Sequence, residues 1–512
     1  MRIKVKNKRG IRIQTRIIVT AIMVILQIAF LAIIAINIST GSVLIYGLSS
    51  MLGVFTVAYI VNKRGNPSYK IMWIVFILVF PVFGIMVYLL WGGGRIFPAI
   101  KKQMQACESH FLTRLGDDSA AHKKLKYADL VHSRQAEYLS HESGYPLYTD
   151  TSTEYLSPGE KFLPRFLEEL RSAEKYIFIE FFIIAEGKMW DSIHEILREK
   201  AAAGVEVKVL FDDFGSIKRQ HKDFISRLRA DGIEVAIFNK IKFSASVFLN
   251  NRNHRKIVVI DGKVAVTGGL NLADEYINEL ERFGYWMDSA VIIKGRAVNS
   301  FVAMFCSIWE FTTKERLDMN RYVVDEPIDT QGFVLPYCDD PLNDKNPAEG
   351  IYMQILNSAQ KYVYIATPYL IVDSTMMTTL QLAAKSGIDV RIITPAIPDK
   401  WYVHPVTQYS YLELLEAGVR IFEYTPGFIH SKLFVSDDSV ATIGTVNMDY
   451  RSFALHFECG VWLADNDTVG NIRDHMRELF TASNEITLDE WRKSPIRLRL
   501  KRAILHLFAP LM

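Results

Sequence analysis

The chain reads as an α/β protein: N-terminal transmembrane helices, then two homologous α/β/α domains related by a pseudo-twofold axis. Three observations predict this. Long apolar runs fill the stretch before residue 92, strand-like and helix-like segments alternate after it, and one polar motif recurs at corresponding places in two similar halves. With 512 residues, half of them hydrophobic and 22% charged, the chain has room for two or three folded domains and is not disordered. A net charge of +3 is too small to argue for a nucleic-acid partner, although basic residues crowd both termini. Cys107, Cys306, Cys338 and Cys459 have neither CxxC spacing nor neighbouring histidines and read as packing residues.

Residues 1–105 read as a membrane anchor with two to three helices. Ile17 to Ile36, Val43 to Val61 and Ile71 to Trp91 are each about twenty residues long, which suits a crossing of roughly 30 Å of hydrocarbon. Pro81 and Gly84 fall inside the third and can bend it. The first is too long for a signal peptide and has no convincing cleavage site. Arg2, Lys4, Lys6, Lys8, Arg9, Arg12 and Arg16 precede it, the following loop "NISTGS" is uncharged, and the next carries Lys63, Arg64 and Lys70. That pattern puts the N-terminus in the cytoplasm. Three crossings then leave everything beyond Gly92 on the outer face of a bacterial plasma membrane.

The repeat comes next, as one domain over residues 125–322 and a second over 323–487. "AEKYIFIEFFIIAEGKMWDSIHEILREKAAAGVEVKVLFDD" is answered by "AQKYVYIATPYLIVDSTMMTTLQLAAKSGIDVRIITPA". Each is a short apolar run, a helix-period segment ending at Gly204 or Gly387, and a second apolar run. A second helix follows in each, "ISRLRADGIEVAIF" or "LELLEAGVRIFEY". Alternating strands and helices predict a parallel or mixed sheet covered on both faces. The boundary falls near "RYVVDEPIDTQGF", where helical text gives way to extended residues and a proline.

The recurring motif carries the chemistry. "NRNHRKIVVIDGKVAVTGGLNLADEY" holds His254, Lys256, Asp261 and Asn271; "GFIHSKLFVSDDSVATIGTVNMD" holds His430, Lys432, Asp437 and Asn447 at the same offsets. One HxKxxxxD match arises by chance in on the order of one protein in thirty of this length, and two with a trailing Asn far more rarely. Two imidazoles, two ammonium groups and two amides around one cleft suit an anion with several oxygens, and a phosphate ester fits. The lysines and amides would stabilise charge on a five-coordinate phosphorus. One histidine would attack phosphorus while the other protonates the leaving oxygen and later deprotonates the incoming hydroxyl. Asp288 in "GYWMDSAVII" and Glu458 in "HFECGVWLA" are candidates to orient the imidazoles. No metal or other cofactor is expected, since lysines supply the cations and no carboxylate cluster suits Mg²⁺.

These residues resemble the phospholipase D superfamily with its paired HKD motifs, from about Tyr127 to Leu488. "VTGGLNLADEY", "GYWMD", "IGTVNMDYRSF" and the hairpin "NKRGNPSYKIMWIVFILVFPVFGIMVYLL" resemble its bacterial cardiolipin synthases. The resemblance implies two phospholipase D-like domains and transfer of a phosphatidyl group from one phosphatidylglycerol to another, giving cardiolipin and glycerol through a phosphohistidine. It implies His254 as nucleophile, His430 as acid and base, and Lys256, Lys432, Asn271 and Asn447 on the phosphate. Thr445 joins the phosphate-binding set, where the first copy has Gly269. Asp261 and Asp437 enter the catalytic set as motif members, although strand alternation carries them away from the pocket and suggests that they tie strand to turn. Partners are then membrane phospholipids and not nucleic acid. The basic amphipathic tail, residues 488–512, can lie on an anionic bilayer or dock on the domain. Rival readings are a phospholipase D, a phosphatidylserine synthase, and a non-catalytic membrane scaffold. His404, His456, His475 and His506 lack motif context and read as core or surface residues.

Overall fold

A computed structural model of the protein describes residues 40–63, 65–92, 98–240, 251–342 and 345–512. They belong to two compact units, one ending at residue 96 and the other carrying the repeat.

In the first unit a helix spans Thr40–Asn62 and a second spans Pro67–Val79, opened by Pro67 and capped by the Asn66 side chain, which accepts from Ser68 N at 2.9 Å. The second helix stops at Phe80, because Pro81 has no N–H to continue it; a short helix Pro81–Val87 restarts there and ends in a π turn, Tyr88–Gly92. Gly84 is required at the bend, since a Cβ there would sit 2.8 Å from Ile77 Cα. Trp73 packs with Ile60, Ile77, Ile85 and Tyr88, its ring 5.3 Å from the Tyr88 ring. Among the described residues no helix is long and apolar enough to cross a membrane. The expected span Val43 to Val61 lies within the first helix, Ile71 to Trp91 is divided at Phe80–Pro81, and Ile17 to Ile36 lies outside the described residues.

The second unit contains two sheets of matching topology. The first is built from β1 (Thr151–Leu156), β2 (Tyr176–Phe181), β3 (Glu206–Asp212), β4 (Glu234–Phe238), β6 (Ile257–Ile260), β7 (Val264–Gly268) and β9 (Ala290–Gly295) in the order β1-β9-β7-β6-β2-β3-β4. The short β5 (Arg252–Asn253) and β8 (Tyr285–Met287) lie outside that order. The second has β10 (Phe333–Asp339), β11 (Tyr362–Ala366), β13 (Asp389–Pro395), β14 (Arg420–Tyr424), β16 (Leu433–Ser436), β17 (Val440–Gly444), β19 (His456–Ala464) and β20 (Ser483–Ile486), in the order β10-β19-β17-β16-β11-β13-β14-β20. Its own short strands are β12 (Leu370–Ile371), β15 (Gly427–Ile429) and β18 (Met448–Asp449). The first seven positions correspond one to one, and β20 extends the second sheet at its edge.

Alternation explains why each sheet is covered twice. Ile177 and Ile179 of β2 join a core with Phe162, Phe166, Trp190 and Ile193 from helices Gly159–Arg171 and Lys188–Ala202. Phe178 points the other way and stacks at 4.5 Å on Phe305 of helix Val298–Thr313. In the second sheet Val363 and Ile365 pack with Ile351 and Leu380, while the Tyr364 ring meets Phe480 of helix Asp467–Thr481 at 5.0 Å. Helices Ser119–Ala128 and Leu130–Ser143 place Leu125, Ala136 and Leu139 in the core of the second sheet, and Trp462 Nε1 donates to Gln135 Oε1 at 3.1 Å. Residues 125–147, which the sequence assigns to the first domain, therefore pack on the second.

Two short parallel ladders join the lobes. β5 pairs with β19 through Arg252 and His456, and β8 pairs with β15 through Tyr285 and Gly427. Each runs straight into one histidine motif.

Candidate active site

The segment His-x-Lys bridges a joining strand and a sheet strand in each half: β5 to β6 for His254 and Lys256, β15 to β16 for His430 and Lys432. The ladders fix the histidine backbones across the lobe boundary, with His254 N donating to Phe457 O at 2.9 Å and His430 N to Met287 O at 2.7 Å. The side chains cross as well. His254 Nδ1 lies 2.9 Å and 3.0 Å from the two carboxylate oxygens of Glu458, and His430 Nδ1 lies 2.7 Å from Asp288 Oδ2. Each imidazole of one lobe is thus held by a carboxylate of the other, and each keeps Nε2 for chemistry.

The lysines are buried beside them. Lys256 Nζ donates to His254 O at 2.7 Å, and Lys432 Nζ donates to His430 O. Burial lowers Lys256 to about 8 against the pull of Glu458, and lowers Lys432 to about 7 against that of Asp288. Burial likewise pulls His254 down to about 3 although Glu458 opposes it, and burial with Lys432 pulls His430 down to about 4 although Asp288 opposes it. For Glu458 burial alone would raise the pKa, but the imidazole against it holds the carboxyl well below its usual range. Both imidazoles are therefore neutral at pH 7, with Nδ1–H directed to a carboxylate and a lone pair on Nε2.

The two asparagines differ. Asn271 Oδ1 accepts from Ile183 N at 3.0 Å and its Nδ2 donates to Tyr276 Oη at 2.7 Å, so its amide is largely committed to the scaffold. Asn447 is equally buried, but its Oδ1 has no hydrogen-bond partner. The expected phosphate contact of Thr445 is corrected. Its hydroxyl donates to Glu458 Oε2, which leaves it no proton for a phosphate; it holds the carboxylate that holds His254. In the first lobe a Cβ at Gly269 would come within 2.0 Å of Asp288 Oδ1, so the carboxylate fills the space that Thr445 occupies in the second.

The motif aspartates stand away from the imidazoles, with their carboxylates turned to backbone N–H groups. Asp261 accepts from the backbone N–H groups of Glu174, Lys175 and Tyr176 at 2.7–2.8 Å, and Asp437 from those of Gln360, Lys361 and Tyr362 at 2.6–2.9 Å. Both stand at positive φ (53° and 54°) in the turn after their strand. Five extended residues, about 17 Å, separate each from its lysine. They clamp the start of β2 and β11 to the neighbouring hairpins.

Sequence reasoning missed His456. Its ring centroid is 5.5 Å from that of His254 and its Nδ1 is 3.6 Å from Glu458 Oε1; in the other lobe the same position holds Trp286, 5.5 Å from the His430 ring. The "HFE" spacing was the available signal, since residues i and i+2 share a strand face. Tyr276, at 5.5 Å from His430, and Phe182, at 5.0 Å from His254, wall the pair with aromatic edges. His254, His456 and Glu458 each bring one potential ligand atom within 4.8 Å of the others, a spacing that could hold a metal ion. The adjoining Lys256 ammonium would repel one.

A family profile described as "Cardiolipin synthase, PLD-like domain" matches residues 166–309 and 352–480, which takes in both histidine motifs. The chain belongs to the cardiolipin synthase family. A second profile, "Phospholipase_D-nuclease N-terminal", matches residues 51–93. Similarity to family members runs along nearly the whole chain. A cardiolipin synthase of Geobacillus thermodenitrificans is 34% identical over 90% of this chain and 94% of the relative. Cardiolipin synthase 2 of Bacillus anthracis is 34% identical over 88% of each. An uncharacterized protein of Streptococcus mutans is 40% identical over 89% of this chain and 99% of its own length. A solved phosphatidylserine synthase of Haemophilus influenzae superposes with a TM-score of 0.58 at 14% identity, over 74% of this chain and all of that one, which supports the fold.

Proposed function

We propose that this member of the cardiolipin synthase family transfers a phosphatidyl group from one phosphatidylglycerol to the terminal hydroxyl of another, releasing glycerol. The observation that carries the reading is the crossed arrangement of two imidazoles, each braced at Nδ1 by the opposite lobe's carboxylate. His254 Nε2 attacks phosphorus, forming a P–N bond as the P–O bond to glycerol breaks. His430, neutral in the empty site, takes up a proton from water as the phosphodiester anion enters and gives that proton to the leaving oxygen. It then takes the proton of the second lipid's hydroxyl, which attacks the phosphohistidine and frees His254. Lys256, Lys432 and the Asn447 Nδ2 donate to the phosphoryl oxygens as charge builds. The His456–Glu458–Thr445 group, matched by only Asp288 with Gly269 in the other lobe, supports His254 as the nucleophile, because the braced imidazole that must carry positive charge has the fuller set of partners.

We also assign the first unit to membrane attachment, with the plasma membrane of a bacterium as its place and the second unit on the outer face. The basic residues before residue 17 and at 63–70 favour a cytoplasmic N-terminus, and the outer face further requires residues 71–91 to cross although their helix is divided at Phe80–Pro81. The activity is tested by incubating purified protein with phosphatidylglycerol in mixed micelles and EDTA, and identifying products by mass spectrometry. Cardiolipin and glycerol in equal amounts, lost in His254→Ala and His430→Ala, is the expected result. Phosphatidic acid alone would make the protein a hydrolase, and no turnover would remove the reading.

A further inference from the structure

The helix Ile496–His506 has two apolar faces, and only one is used. At about 100° per residue, Leu498, Arg502 and Leu505 share one side. Arg502 is buried, its guanidinium 3.6 Å over the Trp491 ring and donating to Gln408 Oε1 at 3.0 Å and Ser494 Oγ at 3.2 Å. His506 stacks on Tyr409 at 4.0 Å, and Leu505 packs beside Val403 and Val406. These contacts dock the helix firmly. On the opposite side Ile496, Leu500, Ile504 and Leu507 form a stripe that is 74%, 60%, 51% and 53% exposed. Nothing among the described residues covers it.

The flanks of the stripe show what would. Arg499 lies on one side of it and Arg497 and Lys501 on the other, all exposed, and the helix contains no acidic residue. Lys501 Nζ sits 5.5 Å over the ring of Trp401, which is 69% exposed, and Lys400 stands next to it. An apolar stripe between two basic margins with an aromatic ring at its edge matches the depth profile of an anionic bilayer surface: acyl chains, then the interface, then phosphates. A water-facing helix would not leave four large aliphatic side chains in line.

The same surface leads to the reacting groups. Lys400 Nζ lies 3.2 Å from Tyr369 Oη, which donates to Asp399 Oδ2 at 2.6 Å; Tyr369 is within electrostatic reach of Tyr276, whose ring is 5.5 Å from His430. We infer that the outer face of helix Ile496–His506, with Trp401, docks the catalytic unit on an anionic lipid surface and presents the His430 side of the site to lipid headgroups. The choice of partner rests on the lipid reading of the site, and the docking is measured apart from turnover.

The full chain carrying Leu500→Cys is labelled with an environment-sensitive fluorophore, the four native cysteines being buried, and reconstituted in vesicles of phosphatidylglycerol and phosphatidylcholine or of phosphatidylcholine alone. Expected are a blue-shifted label in the anionic vesicles, quenched by bromine-labelled acyl chains and shielded from iodide. Reversing Arg497, Arg499 and Lys501 to Glu should cut the bromolipid quenching by more than half and slow turnover several-fold in vesicles, with turnover in mixed micelles unchanged. A label open to iodide in anionic vesicles would overturn the inference. So would one shielded from iodide yet untouched by bromolipid, for then residues 1–39 or a second copy of the chain would cover the stripe. Failure of turnover in micelles as well would strike the proposed activity instead.

Discussion

Glu458 shows how much one side chain is asked to do. It receives His254 Nδ1 and the Thr445 hydroxyl and has His456 at 3.6 Å. Replacing it by Gln leaves the shape but presents an amide N–H₂ to His254 Nδ1, which favours the tautomer with the proton on Nε2 and removes the nucleophilic lone pair. The expected loss is on the order of 10³–10⁴-fold in formation of the phosphoenzyme, read by rapid quench with labelled phosphatidylglycerol, by the logic that governs an Asp→Asn change behind a catalytic histidine. A tenfold effect or less would mean that the carboxylate is merely structural. The motif aspartates make the opposite prediction. Asp261→Ala removes a buried carboxylate that three backbone N–H groups share and should cost about 2–4 kcal/mol of stability by denaturant titration, with kcat of the folded protein little changed. Asp437→Ala should cost less, about 1–2 kcal/mol, because Asp437 is only half-buried where Asp261 is buried, so water reaches the place its carboxylate leaves. The sequence made the histidines, lysines and carboxylates legible because a repeat singles them out. It hid the uses of Thr445 and Asn271, since a hydroxyl or amide near a site looks alike whether it meets the ligand or braces a neighbour.

The joining ladders are the elements on which the site depends. β15 can approach β8 only because residue 427 is glycine: a Cβ there would lie 2.2 Å from Tyr285 O and 2.3 Å from Tyr285 N. Gly427→Ala must therefore part the two strands, and with them His430 N from Met287 O and His430 Nδ1 from Asp288. The expected outcome is a folded protein with native-like circular dichroism and a fall of about 10²-fold or more in kcat/KM, because a misplacement of about 1 Å is enough for that. Native activity in this variant would show that the ladder does not position the histidine. Strand–helix alternation revealed both sheets, yet it did not reveal these ladders. Two- and three-residue strands carry no periodicity, and pairing across a repeat is a tertiary fact. The same limit explains residues 125–147. Their helical pattern is readable, but nothing in an apolar stripe says which of two similar sheets it will cover.

At the scale of the whole catalytic unit, enclosing four basic side chains between two lobes sets the pH response. Burial lowers both imidazoles to about 3–4, so neither titrates between pH 5 and 9 in the empty site and no acid limb near 6.5 is expected in kcat/KM. The lysines behave differently. With Lys432 lowered to about 7 and Lys256 to about 8, the ammonium charges are present below those values and are lost as pH rises through them. Because His430 takes up its catalytic proton only with the phosphodiester, kcat/KM should already decline as pH rises above about 4, and loss of the two ammonium charges, which weakens the grip on the phosphodiester, should steepen that alkaline limb from about pH 7 upward. Bound phosphodiester brings a negative charge that raises both lysine pKa values, so the limb in kcat should lie at higher pH than the limb in kcat/KM. Lys432→Arg replaces a titrating cation by one charged at every accessible pH, and should lower activity through poorer fit while moving the alkaline limb upward. The measurement is a pH series in mixed micelles for both proteins. An acid limb near 6.5 with a flat alkaline side would mean that the imidazoles meet water and that the two lobes do not close the site as the crossed histidine–carboxylate pairs require.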